Sequence, residues 1–598
     1  MQKKAIKRRH CDVSKTEFKS SLHPVLQRVY CGRNITHVDQ IGRELIGLLP
    51  PNKLKGIDRA AELLAKAVRE QWRILIIGDF DADGATSSAL AVSALKAFGA
   101  NHVDYLVPNR FEFGYGLTPE IVEVATSFSP DVIITVDNGI SSVSGVAAAK
   151  EYGIKVLVTD HHLAGDSLPN ADVIVNPNQP GCDFPSKNLA GVGVIFYVMT
   201  ALRSLLRTEN WFAENNLVEP NMASFLDLVA LGTVADVVPL DENNRILVYQ
   251  GLQRIKAGFA RPGILALLEV GKRQRQRLVA SDLGFAVGPR LNAAGRLDDM
   301  SLGINCLLTT DPFLAKEMAS QLDELNQDRK NIEVGMQREA MAALKPLHLN
   351  EGQLPFGICM YDENWHQGVI GILASRIKDR YHRPVIAFAD AGNGEIKGSA
   401  RSIDGLHIRD VLDAVAVHHP GLLTKFGGHA MAAGMSLLKE NFEQFRDAFD
   451  GEIRRLLTAE AFEPDIVTDG ELSSADINAE TAHTIREGGP WGQAFPEPLF
   501  DGVFLVLQQR LVAERHLKLV LAPLNNKQAI IDAIQFNADL EIWPDSSIEM
   551  VRLAYRLDIN EYRGEQNVQL MVEYIEKFEA SNLNRLSIAP AEPESILV

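Results

Sequence analysis

The stretch Arg73-Ile-Leu-Ile-Ile-Gly-Asp79-Phe-Asp81-Ala-Asp83-Gly84-Ala-Thr-Ser-Ser constrains this chain more than any other. Its first half, Ile74 to Ile77, is short, apolar and rich in β-branched residues, the pattern of a strand covered on both faces in a parallel sheet. Three carboxylates follow at its carboxyl end, where open α/β sheets bind their ligands. Apolar residues at helical spacing from Ser87 to Phe98 complete a unit of strand, acidic loop and helix, in which Gly84 is expected to let the chain turn. One Asp before a helix reads as a cap. Three within five residues repel one another unless a positive charge lies between them, and a divalent cation is the natural counter-ion.

The pattern recurs twice. Asp131-Val-Ile-Ile-Thr-Val-Asp137-Asn-Gly is a buried strand ending in an acid and a glycine, with a helix from about Ser141; Lys155-Val-Leu-Val-Thr-Asp160-His161-His162 ends a further strand in an acid and two imidazoles. Strands alternating with helices of about ten to fifteen residues indicate βαβ units with right-handed crossovers and a doubly wound parallel sheet. Three such units deliver acids or imidazoles to one edge. A lone His after a strand is ordinarily structural, whereas a pair behind an Asp, in register with two other acidic strand ends, points to ligation. A mixed imidazole and carboxylate set is compatible with Mn²⁺ or Zn²⁺, and a carboxylate-dominated set favours Mg²⁺ or Mn²⁺. Further on, Asp236 interrupts the apolar run Ala-Leu-Gly-Thr-Val-Ala-Asp236-Val-Val. A buried carboxylate is costly unless paired or metal-bound, so Asp236 is expected to complete the site, with helix capping as its alternative role. In the loop from Pro108 to Gly116, Arg110 and Tyr115 are expected to meet a ligand by charge and stacking; a surface loop with aromatics tucked beneath it is the competing reading.

With 598 residues the chain has room for roughly four domains. A net charge of −17 argues against non-specific adhesion to nucleic acid or anionic membrane, so a polyanionic ligand must meet a local basic groove. Cys11, Cys31, Cys182, Cys306 and Cys359 form no CxxC pair and suggest neither a zinc site nor a disulfide framework. The basic start is followed by no apolar segment, and no run of about 18 apolar residues is expected to cross a membrane. A soluble, cytoplasmic protein is the expectation.

The set Asp79-Phe-Asp81-Ala-Asp83-Gly, Val136-Asp137-Asn-Gly, Thr159-Asp160-His161-His162 and Gly232-Thr-Val-Ala-Asp236 resembles the ordered motifs of the DHH phosphoesterase superfamily, and within it those of the single-strand-specific DNA exonucleases. The resemblance implies two divalent cations, Mg²⁺ or Mn²⁺, with Asp137 bridging them and His161 ligating the second. It implies a metal set of Asp79, Asp81, Asp83, Asp137, His161 and Asp236, and a catalytic set of Asp81, Asp83, Asp137, Asp160, His161 and His162. One departure stands out: many members of the wider superfamily carry a histidine where this chain has Asp79. Gly288-Pro-Arg290-Leu-Asn292-Ala-Ala-Gly295-Arg296 resembles a motif whose arginines contact the DNA backbone, and two guanidinium groups among small residues suit bidentate phosphate contact. An ion pair between Arg296 and Asp298 or Asp299 is the alternative. The segments around Ser399 and Arg401, and around Gly427, Gly428 and His429, resemble the two signatures of the DHHA1 domain; glycine-rich backbone and these side chains offer donors to a phosphate.

The expected architecture is α/β. A helical lead-in spans 1–50 and a doubly wound DHH domain 51–305. A linker helix, opened by Asp311 as N-cap and Pro312 behind it, covers 306–350; a second α/β domain covers 351–460. Five strands suit an OB-like barrel over 461–579, before a flexible tail at 580–598. The resemblance implies a 5′-to-3′ exonuclease of recombination and repair that releases mononucleotides from single-stranded DNA, with no membrane role. A single-strand-binding protein and a recombination helicase are its implied partners. Rival readings are a phosphoesterase of pyrophosphate, oligoribonucleotides or cyclic dinucleotides, for which an extended track is superfluous, and a non-catalytic single-strand-binding scaffold, which should have lost its acids.

Overall fold

The computed structural model describes residues 4–18, 22–108, 116–165, 167–348, 354–462, 465–562, 565–579 and 581. Arg110 and Tyr115, and the expected tail beyond Ser581, lie outside the described residues. The chain opens with β1 (Ala5–Arg8), α1 (Pro24–Cys31) and α2 (Ile57–Arg69). A five-stranded sheet follows, built from β2 (Ile74–Gly78), β3 (Val103–Leu106), β4 (Val132–Val136), β5 (Lys155–Thr159) and β6 (Val173–Val175). All pairings are parallel, in the order β3-β2-β4-β5-β6. Helices α3 (Ala82–Ala97), α4 (Pro119–Thr126) and α5 (Val143–Glu151) are the crossovers. Along β2, Ile74 and Ile76 enter one core while Leu75 and Ile77 enter the core on the opposite face, which is why the strand is a continuous apolar run. Burying each contributes about 1.5–3 kcal/mol. Strand order reverses between β2 and β4, and a crevice opens beyond the carboxyl ends at such a switch point.

The wider core is completed by α6 (Gly191–Thr208), α7 (Trp211–Glu214), α8 (Leu226–Ala235), α9 (Glu242–Ala257), α10 (Pro262–Val270), α11 (Ala280–Asp282), a π-helical turn at Leu283–Val287, α12 (Gly288–Leu297) and α13 (Ser301–Leu308). Helix α6 has the length and mean composition of a membrane span, but Arg203 and Arg207 interrupt its apolar run, and 61% of it is buried against this core. Helix α14 (Pro312–His348) joins two cores: Ala315, Ala319 and Leu322 sit in the first, Met336, Ala340 and Leu344 in the next. Asp311 caps it through Phe313 N–H at 2.8 Å.

The second α/β domain comprises β7 (Ile358–Asp362), α15 (Ile370–Tyr381), β8 (Val385–Gly392), β9 (Glu395–Arg401), α16 (Ile408–His418), β10 (Lys425–Gly428), β11 (Ala432–Leu438) and α17 (Phe442–Leu456), with strands ordered β10-β11-β9-β8-β7. After β12 (Asp465–Thr468) and α18 (Ala479–Glu487), the strands β13 (Phe500–Val512), β14 (His516–Pro523), β15 (Ile531–Gln535), β16 (Met550–Tyr562) and β17 (Glu565–Lys577) close a barrel in the order β13-β14-β15-β17-β16. The segment expected as a helical lead-in begins instead with a strand, since β1 pairs in parallel with β12. Val25 and Val29 of α1 enter the barrel core, and Arg33 grips Asp469 at 2.7 and 3.0 Å. A four-residue strand whose only partner among the described residues lies at the far end of the chain leaves no local periodicity to read.

Candidate active site

The acidic loop is tighter than its sequence suggests. Helix α3 starts at Ala82, so Asp81 is its N-cap, accepting from Asp83 N–H at 2.9 Å and Gly84 N–H at 3.1 Å, and Asp83 lies in the first turn. Gly84 therefore does not make the turn. Its glycine is required because a Cβ there would stand 2.3 Å from the Asp79 carbonyl oxygen. Both carboxylate oxygens of Asp83 are held by the N-terminus of α6, from Gly191 N–H at 2.6 Å and Val192 N–H at 2.9 Å, where the helix dipole favours a negative charge. Asp137, just beyond β4, adopts φ 61°, a left-handed conformation uncommon outside glycine.

These elements bring Asp79, Asp81, Asp83, Asp137, His161, His162 and Asp236 together. In each of three groups, one ligand atom per residue lies within 4.8 Å of the others: Asp79, Asp81 and Asp137; Asp137, His161 and His162; Asp83, His161 and Asp236. Asp137 belongs to two of them, as a bridging residue must. Asp79 contributes a carboxylate where the wider superfamily has an imidazole. His161 Nε2 lies 3.1 Å from Asp137 Oδ1 and 3.5 Å from Asp236 Oδ2. Even so, His161 Nε2 and Asp236 Oδ2 are buried without a hydrogen-bond partner. Orphaned polar atoms of this kind, in an oxygen-rich set with imidazole, fit Mn²⁺ or Mg²⁺.

The electrostatics agree. Burial and then the neighbouring Asp81 push Asp83 up to about 7, and burial followed by Asp83 and Asp81 raises Asp137 and Asp236 well above the usual carboxylate range. Burial pulls His161 down to about 3, leaving a neutral ring able to ligate. His162 differs: burial would lower it, but the hydrogen bond and charge of Asp160 lift it to about 9. Asp160 is spent on that role. Its Oδ1 accepts from His161 N–H at 2.7 Å and His162 N–H at 3.1 Å and lies 2.7 Å from His162 Nδ1; its Oδ2 accepts from Ile140 N–H at 2.9 Å. It is in none of the ligand groups. Asp160, expected among the catalytic residues, is thus built to position the two histidines.

A cavity of about 530 Å³ runs from this loop to the second α/β domain. Phe80, Asp81, Asn292 and Arg296 line one side, and Lys397, Ser399, Arg401 and Lys425 the other. Four cations thus share the space with one carboxylate. Lys397, Ser399 and Arg401 alternate along one face of β9, and burial lowers Arg401 from its ordinary value. Its guanidinium donates to Ser399 Oγ at 3.1 Å. Gly371, in the first turn of α15, leaves the pocket open, since a Cβ there would lie 2.9 Å from Ser399 Oγ and Arg401 Nη2. Asn292 has a second duty: its Oδ1 accepts from Ala82 N–H at 2.7 Å and so pins the start of α3. Gly295 lets α12 reach the loop, because a Cβ there would lie 1.8 Å from the Phe80 carbonyl oxygen.

Some expected residues stand elsewhere. Arg290 pairs with Asp323 of α14 at 2.7 Å and does not line the cavity. The ion pair foreseen for Arg296 is made by Arg290 instead, with a partner too distant in sequence to have been read. Gly427, Gly428 and His429 do not line the cavity either; the His429 ring stacks 6.0 Å from that of His162, at the rim of the acid cluster. Lys397, Lys425 and Gly371 were missed. Two-residue alternation around Ser399 would have found Lys397; Lys425 and Gly371 arrive through the fold alone.

An acid-and-histidine cluster on a doubly wound sheet, facing a cationic pocket on a second α/β domain, defines a DHH-type protein. Residues 73–233 match the DHH family N-terminal domain, 354–455 the DHHA1 domain and 468–574 the RecJ OB domain. The "single-stranded-DNA-specific exonuclease RecJ" of Salmonella typhimurium is 55% identical over 574 residues, covering 96% of this chain and 99% of that protein, and its Escherichia coli namesake is 54% identical with the same coverage. A crystal structure of RecJ in complex with Mn²⁺ from Thermus thermophilus matches with a TM-score of 0.78 at 29% identity, covering 95% of this chain and 78% of that one. The chain belongs to the RecJ family.

Proposed function

We propose that this chain is a single-stranded-DNA-specific exonuclease that degrades one strand from its 5′ end, releasing mononucleotides in recombination and repair. The observation that carries the reading is that the acid-and-histidine cluster reaches, through Asp81, a cavity lined by Arg296, Lys397, Arg401 and Lys425. Asp79, Asp81, Asp83, Asp137, His161 and Asp236 would hold two Mg²⁺ or Mn²⁺ ions, with Asp137 shared. Such ions supply charge stabilisation at the attacking and leaving oxygens and an activated water.

The residues of the chain do the rest. Asp160 fixes the two histidines, Asn292 anchors the acidic loop, and the basic wall orients the strand. Ser399 and Arg401 receive the terminal 5′ phosphate, which carries more charge and more acceptor oxygens than an internal diester. Lys397, Lys425 and Arg296 take the phosphates beside it. Anchoring the end a fixed distance from the acids makes cleavage exonucleolytic. The cavity volume is that of a small-ligand site, about 300–1,000 Å³, which suits the end of one strand. A cytoplasmic setting suits the five free cysteines. Single-stranded substrate arises by unwinding and is coated in the cell, so a recombination helicase and a single-strand-binding protein are the partners such an enzyme needs.

The test is digestion of 5′-labelled strands with Mn²⁺, with EDTA, and as blunt duplex. Rapid release of labelled mononucleotide from the single strand, abolished by EDTA and at least ten-fold slower on duplex, is the expected result. Equal rates on duplex, or release from the 3′ end first, would overturn it; cleavage of only short oligoribonucleotides or pyrophosphate would point to a small-substrate phosphoesterase.

A further inference from the structure

Phe285 is 83% exposed, although it lies in a π-helical turn packed into the main core through Leu283 and Val287. That turn runs directly into α12, so Leu283 to Leu297 forms one continuous helical stretch. Spacings of four, three and four residues along it put Phe285, Pro289, Asn292 and Arg296 on one stripe. Asn292 and Arg296, at the far end of this stripe, line the cavity. At about 1.5 Å per residue, Phe285 stands about 10 Å from Asn292 along the axis.

The surroundings of Phe285 lead back to the acid cluster. A Cβ on Gly284 would lie 3.2 Å from Val234 Cγ1, and one on Gly288 3.2 Å from Ala235 Cβ, so the π turn rests on the last turn of α8, which ends at Asp236. The next residue, Val237, is 62% exposed and has φ 61°, a genuine outlier for a β-branched side chain. One exposed apolar side chain thus stands on a π turn that packs against the helix ending at Asp236, and another follows Asp236 directly in strained backbone. Both features recur at functional sites.

We infer that Phe285 is a stacking platform for the bases of the single strand that trail behind the nucleotide in the cavity. This rests on the function proposed above and deepens it. The basic wall grips the terminal phosphates, whereas Phe285 engages the unpaired faces of bases. A paired base has its faces covered by its neighbours and cannot use this platform, so Phe285 adds to discrimination against duplex. Base-on-aromatic contact tolerates any sequence.

The test measures binding alone, by fluorescence anisotropy of a 5′-phosphorylated oligothymidylate without divalent ions. Phe285→Ala is expected to weaken binding by about ten-fold or more and Phe285→Trp to restore it. Phe313→Ala, which removes an 87% exposed phenylalanine from the start of α14, should bind as the unaltered chain does. Replacing the bases near the 5′ end by abasic sites should weaken binding to the unaltered chain by the same factor and remove any further effect of Phe285→Ala. Unchanged binding by Phe285→Ala, equal losses on normal and abasic strands, or failure of Phe285→Trp to rescue would overturn the inference. Absence of cleavage by the unaltered chain with Mn²⁺ would instead count against the proposed function, and the binding comparison would still be decided.

Discussion

The acid cluster, which reaches the cavity through Asp81, and the basic face of the cavity are two walls of the proposed site that meet opposite demands with different architecture. On the acidic wall, Asp79, Asp137 and Asp160 are buried just beyond the ends of parallel strands and Asp83 in the first turn of α3, with one of the four in left-handed backbone and two tied down by backbone N–H groups. The basic wall is a sheet face on which Lys397, Ser399 and Arg401 alternate, half-buried, along an antiparallel strand. Gathering like charges away from water costs stability unless something neutralises them, so the first wall is assembled by many converging constraints. Cations on long, flexible stems need no such enforcement. The metal side is therefore the strained and destabilised half of the site, and the phosphate side the tolerant half.

The largest effect expected from breaking this contrast is at Asp137. Asp137→Asn keeps a residue that accepts φ 61° and removes one charge. Hydrolysis of single strands with saturating Mn²⁺ should fall by at least about 10³-fold, about 4 kcal/mol. The metal-free protein should melt at a higher temperature than the unaltered chain, because a repelling charge is gone. Residual activity above about a tenth of the starting rate would remove Asp137 from the bridging position.

A smaller effect separates anchoring from ligation. Asn292→Ala leaves Ala82 N–H without its 2.7 Å acceptor, a loss of about 1–1.5 kcal/mol. The Mn²⁺ concentration giving half-maximal rate should rise about five- to ten-fold, with the maximal rate changed much less. A fall in maximal rate at unchanged Mn²⁺ dependence would mean that Asn292 acts on the substrate and not on the loop.

The pH dependence sharpens the same comparison. Asp83, Asp137 and Asp236 have folded values above their unfolded ones, Asp83 near 7. The folded metal-free chain thus binds more protons than the unfolded chain between about pH 4 and 7, and its stability falls as pH rises through that window. Metal replaces the protons. The rise in melting temperature caused by Mn²⁺ should therefore be small at pH 5 and grow toward pH 8; a rise that shrinks with pH would contradict the account of the acidic wall.

Much of this was legible in the sequence where the signal is local. Strand, acid and helix follow one another at Asp79 to Asp83 and at Asp137, and strand and acid at Asp160, so the doubly wound sheet and its acidic edge could be read directly, as could the cap at Asp311 and the five strands of the barrel. What escaped depends on distant partners. Arg290 turns to Asp323 on a helix that begins beyond its own motif, whereas Asp160 escaped with neighbours as partners, because its place before His161 and His162 does not tell an orienting carboxylate from a ligand. His429 reaches His162 across domains. The strand β1 exists only because residues 465–468 complete it.

The central claim is that one wall holds the terminal phosphate while the other cleaves, and the most direct test is a cycle that combines Arg401→Ala with removal of the 5′ phosphate. Dissociation constants would be measured for 5′-phosphorylated and 5′-hydroxyl strands with both proteins. The account predicts that Arg401→Ala weakens binding of the phosphorylated strand by about 1.5–3 kcal/mol, the range for a hydrogen bond to a charged group, and that of the hydroxyl strand far less. Strictly additive losses would contradict it, because an arginine that does not sense the terminal phosphate cannot set the end from which the strand is measured.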